Sequence, residues 1–449
     1  MINVILNNYI RFGERDLPTK QFFEDLTFKN PKHVRATKYG YSTYNIVPKI
    51  KAYEKRFGMV SLPRGYLSIF KAALKENGIK YKIEDQRIVK KPIDFDFFGE
   101  LRVYQEKAVK NLVKHDFGTL MAGCGSGKTT TAINMITMRK QPTLILVHTS
   151  DLQNQWADML HKFLGIEKED IGLIGGGKFR IKPITIGMIQ TLARTKKDFS
   201  TSFGFTISDE IQHTPAETFK KVITKITSKY QLGLSATPYR QDGLTQLIQY
   251  YVGPIVHQVH EEELQKANVK MDFQVKERRT NWSFQYADNF VEMVNCMVKD
   301  FDRNKGIMID IAQEAKKGNY CLILSDRVEH CSRLAKALKE QGFESGFLKA
   351  SATKENRKEV LEKVNNGEIH ILFATGQLAG EGLDIPRLNR LFLVTPIRWK
   401  GRLRQYVGRI ARVFPGKVDA IVYDYVDLKV GVCLGMFYSR RSNVYNEFK

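Results

Sequence analysis

The run Ala122-Gly123-Cys124-Gly125-Ser126-Gly127-Lys128-Thr129 places glycines between an apolar strand-like segment and a helix-like one. Glycines there let backbone N–H groups turn inward around phosphate oxygens, and a helix opening behind them adds partial positive charge. Lys128 is then expected to reach the β- and γ-phosphates of a nucleoside triphosphate. The Thr129 hydroxyl is expected to ligate Mg²⁺, and Thr130 begins the helix proper. Gly125, Ser126 and Gly127 form the cradle, while Ala122 stands where a strict P-loop would carry its first glycine. Further on, Asp209-Glu210 closes the apolar run Phe205 to Ser208, delivering two carboxylates at the carboxyl edge of a sheet. Asp209 suits a Mg²⁺ ligand, and Glu210 suits a base that takes a proton from an attacking water. Alone, such a pair is an ordinary solvated strand end; its position after the phosphate loop reverses that reading.

These residues must be held by a sheet. Short apolar strands, Gly118 to Ala122, Thr143 to Val147, Ile184 to Gly187, Phe205 to Ser208 and Gln231 to Leu234, alternate with helical stretches. That alternation predicts a parallel, helix-covered α/β sheet. A polar stretch from Glu261 to Gln285 interrupts it as a linker, and strands resume at Tyr320 to Leu324, Ile369 to Phe373, Asn389 to Val394 and Ala420 to Tyr423.

The order of motifs from Leu101 to Arg412 resembles that of the superfamily 2 helicases. Asp209-Glu210-Ile211-Gln212-His213 resembles their acidic box, and Ser235-Ala236-Thr237 the coupling motif that follows it. The resemblance implies that Gln212, Ser235 and Thr237 link nucleotide state to domain closure. Leu101-Arg102-Val103-Tyr104-Gln105 resembles the adenine-recognising segment, with Gln105 on the base and Arg102 packed near it. Gln405-Tyr406-Val407-Gly408-Arg409-Ile410-Ala411-Arg412 resembles the final motif. Arg409 and Arg412, three apart on one helix, are expected to project from the same face as arginine fingers, and Gln405 to contact the same phosphate or its water. Thr375-Gly376 and Glu381-Gly382-Leu383-Asp384 resemble a motif touching both nucleic-acid backbone and nucleotide, with Asp384 near the ribose and Thr375 on a phosphate. Leu322 to Arg327 resembles the second-domain motif before it, and His148-Thr149 and Gln190-Thr191 stand at family strand-contact positions. The implied fold is two RecA-like parallel-sheet domains in tandem, residues 99–262 and 263–449, behind a small basic α+β N-terminal domain, residues 1–98.

Residues 1 to 100 hold 19 Lys and Arg against 11 Asp and Glu, a net +8, with no catalytic motif. Pro63-Arg64-Gly65 reads as a turn, and Tyr66 to Asn77 as a helix capped at Gly78. Ile79, Tyr81 and Ile83 alternate with Lys80 and Lys82, Glu84-Asp85 turns, and Arg87-Ile88-Val89 returns, which predicts a hairpin with a basic face. That face either tracks a phosphate backbone or is an ordinary solvated surface. Over the whole chain 71 Lys and Arg oppose 48 Asp and Glu, a net charge of +23 that favours a polyanionic partner. Five cysteines without a C-x-x-C pair indicate free thiols rather than a zinc site or disulfide framework. No apolar run has membrane-span length and the first ten residues do not read as a signal peptide, so a cytoplasmic setting is expected, including that of a phage protein in its host.

With ATP and Mg²⁺ as cofactors, the resemblance implies an ATP hydrolase whose two domains close and reopen while gripping a strand, with weak sequence preference and strong salt dependence. The Ser235 to Arg240 run and Gly253-Pro254 are most similar to DNA-acting members, the XPB-like and phage UvsW-like helicases. The expected substrate is therefore forked or branched duplex DNA and single strands, in recombination, repair or branch migration, with the chain acting as a monomer. Two alternatives stand beside it, an RNA helicase and the motor of a restriction system; a degenerate binding module conflicts with the complete set of Lys128, Asp209, Glu210, Arg409 and Arg412. Trp156 is expected to pack on its domain sheet rather than stack on a base. Trp399, among Arg398, Lys400 and Arg402, is the better candidate wedge.

Overall fold

The computed structural model describes all residues except 18–19, 124, 212–215, 237–242, 350, 377–384, 398–399 and 449. The side chains of 216, 354, 400–402, 443 and 447–448 are likewise outside the description. Two compact units divide the chain: Met1–Ala122 with Gly127–Val259, and Gly123–Ser126 with His260–Lys449.

In the first unit, Lys178–Arg180, Gly172–Gly175, Ile184–Met188, Thr143–Val147, Phe205–Ser208, Tyr230–Ser235, Phe117–Ala122 and Ile255–Val259 lie side by side in that order. All neighbours are parallel except Lys178–Arg180, which closes one edge as an antiparallel ribbon. The central strands, such as Thr143–Val147, are buried at every position, as helices on both faces require. The phosphate-loop strand lies two places from the acidic-pair strand.

The N-terminal residues build a sheet of their own, ordered Glu54–Arg56, Met59–Pro63, Tyr9–Gly13, Ile2–Leu6 and Tyr81–Asp85. Here the hairpin expected at 79 to 89 is corrected. Tyr81–Asp85 pairs in parallel with Ile2–Leu6 instead of with the residues after it, and Ile88 bridges to Ser228. Local alternation reports a strand but not its partner, and a parallel partner is necessarily distant in sequence. The helix runs Leu67–Glu76, with Gly78 at φ +65° just beyond it, as the sequence predicts.

Pro63-Arg64-Gly65 does more than turn the chain. Arg64, 2% exposed, donates from Nη1 to the Ser228 carbonyl at 2.6 Å and from Nη2 to Gln231 Oε1 on the motor sheet. Burial first, and then the Arg87 guanidinium, push its pKa down to about 9. Tyr66 packs edge-on against Tyr250 with ring centroids 5.0 Å apart. Phe12, Phe22 and Phe70 continue into a single apolar cluster that includes Leu144, Leu247 and Tyr251. The basic N-terminal sheet is thus fused to the motor sheet through one shared core.

The second unit carries a six-stranded parallel sheet ordered Gln274–Thr280, Ile421–Asp427, Arg390–Leu393, Cys321–Ser325, Ile371–Thr375 and Ser345–Leu348. The expected linker from Glu261 to Gln285 is corrected in part. It holds the helix Glu261–Lys266 and the edge strand Gln274–Thr280, paired along its length with Ile421–Asp427. An edge strand reading Gln-Val-Lys-Glu-Arg-Arg-Thr is polar because its outer side faces solvent, which disguises it as a linker. Of the described cysteines Cys296 is exposed and Cys321, Cys331 and Cys433 are buried free thiols. Among the described residues no helix is long and apolar enough to cross a membrane.

A methyl group at Gly65 would lie 2.5 Å from the Tyr250 carbonyl oxygen, 2.6 Å from that of Gln249 and 2.8 Å from Gly253 N, none of which is a flexible side chain. Gly65→Ala is therefore expected to lower stability by about 2–3 kcal/mol in denaturant titration. Gly306→Ala, in the exposed middle of the helix Phe301–Lys316 with open space around it, is expected to raise it by about 0.5–1 kcal/mol.

Candidate active site

Local backbone geometry bears out the loop's sequence logic. Gly125 and Gly127 adopt φ +84° and +74°, a region that glycine enters without the steric cost other residues meet. The helix Lys128–Arg139 starts directly after Gly127, so its first N–H groups lack intrahelical partners. Lys128 Nζ donates to the Ala122 carbonyl at 3.0 Å and stands 3.7 Å from Glu210 Oε1. Thr129 and Thr130 are half-buried in the first helical turn.

Asp209 is 5% exposed. Its Oδ2 accepts a 2.8 Å hydrogen bond from Trp156 Nε1, and its Oδ1 one of 2.9 Å from the Glu210 N–H. Burial, and then the adjacent Glu210 charge, push its pKa up to about 6, while the Trp156 N–H and the Lys128 ammonium pull the other way. Trp156 does pack on its domain sheet, 1% exposed, as expected. Its indole nitrogen also orients the buried carboxylate, a role with no local sequence signal because the two residues lie 53 apart. Glu210 sits at φ +45°, a conformation costly for a residue with a Cβ, and this turns its carboxylate out of the strand line beside Lys128.

The donor chemistry fits a triphosphate and its metal: an ammonium, a helix start behind two left-handed glycines, and two carboxylates of which one is held by hydrogen bonds. The close quarters of Gly127 support this fit, since a Cβ there would come within 2.4 Å of Gln105 Nε2. Gln105 itself is buried. Its Oε1 accepts from Arg102 N at 2.9 Å and its Nε2 reaches the Gly127 carbonyl at 3.4 Å, tying the expected adenine segment to the loop. The Arg102 side chain is exposed, with Nη1 3.3 Å from the Tyr104 hydroxyl.

The two expected strand-contact pairs end neighbouring strands. Thr149 caps the helix Ser150–Leu164 by accepting from Leu152 N at 3.3 Å, and Gln190 Nε2 donates to the His148 carbonyl at 2.9 Å. Ser235 ends its strand buried; Gln212, Thr237 and Arg240 lie outside the described residues.

In the second unit Gln405 and Arg409 are buried on the helix Lys400–Ile410. Arg412 corrects an expectation: the helix ends before it, and Arg412 forms an isolated antiparallel bridge with Lys270. Beyond the helix the Arg412 N–H still donates to the Arg409 carbonyl at 3.4 Å, and the Ala411 carbonyl accepts from Met271 N at 2.7 Å. Tyr406, beside Gln405, donates its hydroxyl to the Gly376 carbonyl, and a Cβ at Gly376 would lie 3.0 Å from that hydroxyl and 3.2 Å from Asp326 Oδ1. Three motifs far apart in sequence therefore meet within this sheet's carboxyl edge. Behind them the buried His330 bridges Ser325 Oγ at 3.0 Å and Asn304 Oδ1 at 2.9 Å, and burial followed by Arg303 pushes its pKa down to about 3. Glu381 to Asp384, Arg398 and Trp399 lie outside the described residues, as do the side chains of Lys400 and Arg402.

Residues 98–240 match the family model described as the res subunit of type III restriction enzymes, and 304–414 match the helicase conserved C-terminal domain. A protein of Acanthamoeba polyphaga mimivirus that carries an RNA-helicase name is 30% identical over 75% of this chain, which spans 66% of that relative. The DNA 3'-5' translocase XPB2 of Sulfurisphaera tokodaii is 28% identical over 70% of this chain and 79% of its own length. The solved structure of S. cerevisiae Dbp5 bound to RNA and ADP BeF3 aligns over 77% of this chain and 88% of that chain, with TM-score 0.56 and 18% identity, a likeness of fold.

Trp156→Phe removes one hydrogen bond to the expected metal ligand while keeping a packed ring, so half-maximal ATPase should need about tenfold more Mg²⁺. Asp209 binds a metal only when deprotonated, and its raised pKa places the competing proton at about pH 6. The Mg²⁺ requirement of the unaltered chain should therefore grow as pH falls below about 6, and in Trp156→Phe that growth should begin at higher pH. A Mg²⁺ titration indifferent to both changes would remove Asp209 from the metal site.

Proposed function

We propose that this chain, which belongs to the superfamily 2 helicases, couples ATP hydrolysis to translocation along DNA and opens forked or branched duplexes. The observation that carries this reading is the contact of Lys128 with Glu210, 3.7 Å apart, beside the tryptophan-held Asp209. Lys128 and the N–H groups that open its helix bind the phosphates. Asp209 and Thr129 would hold Mg²⁺, which would offset the negative charge of the phosphates. Glu210 holds the proton released by the attacking water, with the Lys128 ammonium 3.7 Å from its carboxylate in the resting site. Gln105 and Arg102 orient the base, and Asp384 takes the ribose. Gln405, Arg409 and Arg412 supply polar and positive groups for the terminal phosphate as its bond breaks. The excess of 23 positive charges supports a backbone-tracking mode of binding, and the XPB2 relative's DNA translocase name supports DNA as the track.

The RNA reading is kept by one finding, the RNA-helicase name of the mimivirus relative. An unwinding assay on forked DNA, a four-way junction and an RNA duplex of matched length separates the two. Forked or branched DNA should be opened at least tenfold faster than RNA, and the reverse preference would overturn the DNA assignment. Glu210→Gln should bind nucleotide and DNA normally yet lose about 10²–10⁴-fold in kcat. Arg409→Ala should lose about 10³-fold or more. Wild-type rates in both variants would remove these residues from the chemistry.

A further inference from the structure

From Leu26 to Tyr53 the chain carries six Lys or Arg and no Asp or Glu. All six, Lys29, Lys32, Arg35, Lys38, Lys49 and Lys51, are exposed, and among the described residues none forms an ion pair. The segment is nonetheless rigid. Thr27–Lys29 and Lys49–Lys51 form an antiparallel ribbon, and the helix Pro31–Lys38 is capped by the buried Asn30, which accepts from Lys32 N at 3.0 Å and donates to the Val47 carbonyl at 2.7 Å. Within the ribbon Lys29 stands opposite Lys49. Like charges across a strand pair destabilise the fold, so this pairing is costly unless an anion joins it.

Beside the ribbon lies a groove of about 540 Å³ lined by Phe28, Lys29, Pro31, Val34, Arg35, Lys38, Tyr39, Gly243 and Leu244. One helix face, at positions 31, 34, 35 and 38, forms one wall. On the opposite wall Gly243 and Leu244 lead into the helix Thr245–Val252, and the Gly253 carbonyl just beyond it accepts from Thr119 Oγ1 at 3.1 Å on the phosphate-loop strand Phe117–Ala122. Tyr39 is 58% exposed, Tyr41 69% and Tyr44 92%, and the Tyr39 and Tyr41 rings lie 6.3 Å apart. Exposed phenol rings beside unpaired cations match the two parts of a single nucleic-acid strand: phosphates for the charges, unstacked bases for the rings. Duplex DNA offers the first and hides the second.

We infer that this groove is a second strand-binding site, outside the motor's own strand contacts, that takes a single-stranded stretch of the substrate and reports its presence to the ATP site through Gly243-Leu244. It rests on the helicase reading for the identity of the polyanion. An acidic protein would satisfy the cations but would not need the three tyrosines.

The test is binding of a fluorescein-labelled 20-nucleotide dT strand to the full chain, followed by anisotropy across a range of salt, together with ATPase stimulation by the same strand. In Tyr39→Ala/Tyr41→Ala/Tyr44→Ala, Kd should rise about tenfold or more, and the strand concentration that half-stimulates ATPase should rise in parallel. In Lys29→Gln/Arg35→Gln/Lys38→Gln, the slope of log affinity against log salt should fall by about 2. ATPase without nucleic acid should match the unaltered chain in both, since these residues lie outside the catalytic set. Should the triple tyrosine variant unfold early, Tyr39→Ala alone, at the ring that lines the groove, should still weaken binding severalfold. Kd values within twofold of wild type in both variants overturn the groove while leaving the motor reading intact, and unchanged half-stimulation with weakened binding overturns the reporting role. A wild-type ATPase that no nucleic acid stimulates would count against the motor reading instead.

Discussion

A carboxylate buried beside a second carboxylate is the constraint from which the motor lobe takes its form. Asp209, 5% exposed and adjacent to Glu210, would shed its charge in an apolar surrounding. What keeps it usable is a short set of donors: the Trp156 indole, the Glu210 backbone N–H and, through charge, Lys128. Each donor depends on a different element. Trp156 must be fully buried on its helix, Glu210 must take a left-handed backbone turn, and Lys128 must open a helix directly after glycines at positive φ. The parallel order of the sheet is what brings those three elements to one edge.

The N-terminal sheet shows the same logic in another form. Its basic exterior suits a polyanion, but its interior is continuous with the motor lobe, and the joint is Arg64-Gly65-Tyr66. Arg64 exchanges water for the Ser228 carbonyl and Gln231, while Gly65 is needed because backbone atoms fill the space where a side chain would stand. The joint places Arg64 against the strand that ends at Ser235, next to the strand that ends at the acidic pair. That continuity is the physical basis for placing a strand-sensing groove there.

In the second lobe the convergence of Asp326, Gly376 and Tyr406 rests on a buried polar scaffold. His330 held neutral, Arg303 paired with Asp427 at 2.7 Å, and Arg440 paired with Asp424 at 2.7 Å leave few ways to repack the sheet edge. Buried charges of this kind fix geometry because removing one partner strands the other.

Which residues could carry phosphate and metal chemistry is legible in order and type alone. Lys128, Asp209 and Glu210 announce themselves because phosphate cradles and metal-binding strand ends need particular residues at short, local spacing, and the apolar alternation behind them specifies a parallel sheet. The hairpin expected at 79 to 89, the linker expected at 261 to 285 and the expected placing of Arg412 on the helix of Arg409 differ from the structure for one reason. Each turned on a partner remote in sequence: Ile2–Leu6 for the strand, Ile421–Asp427 for the edge, and the Val269–Met271 segment for the helix end. The Trp156 hydrogen bond and the joint at Arg64 were invisible for the same reason. Residue type along the chain decides which groups can do the work; only long-range packing, which sets who meets whom, decides how they are aimed.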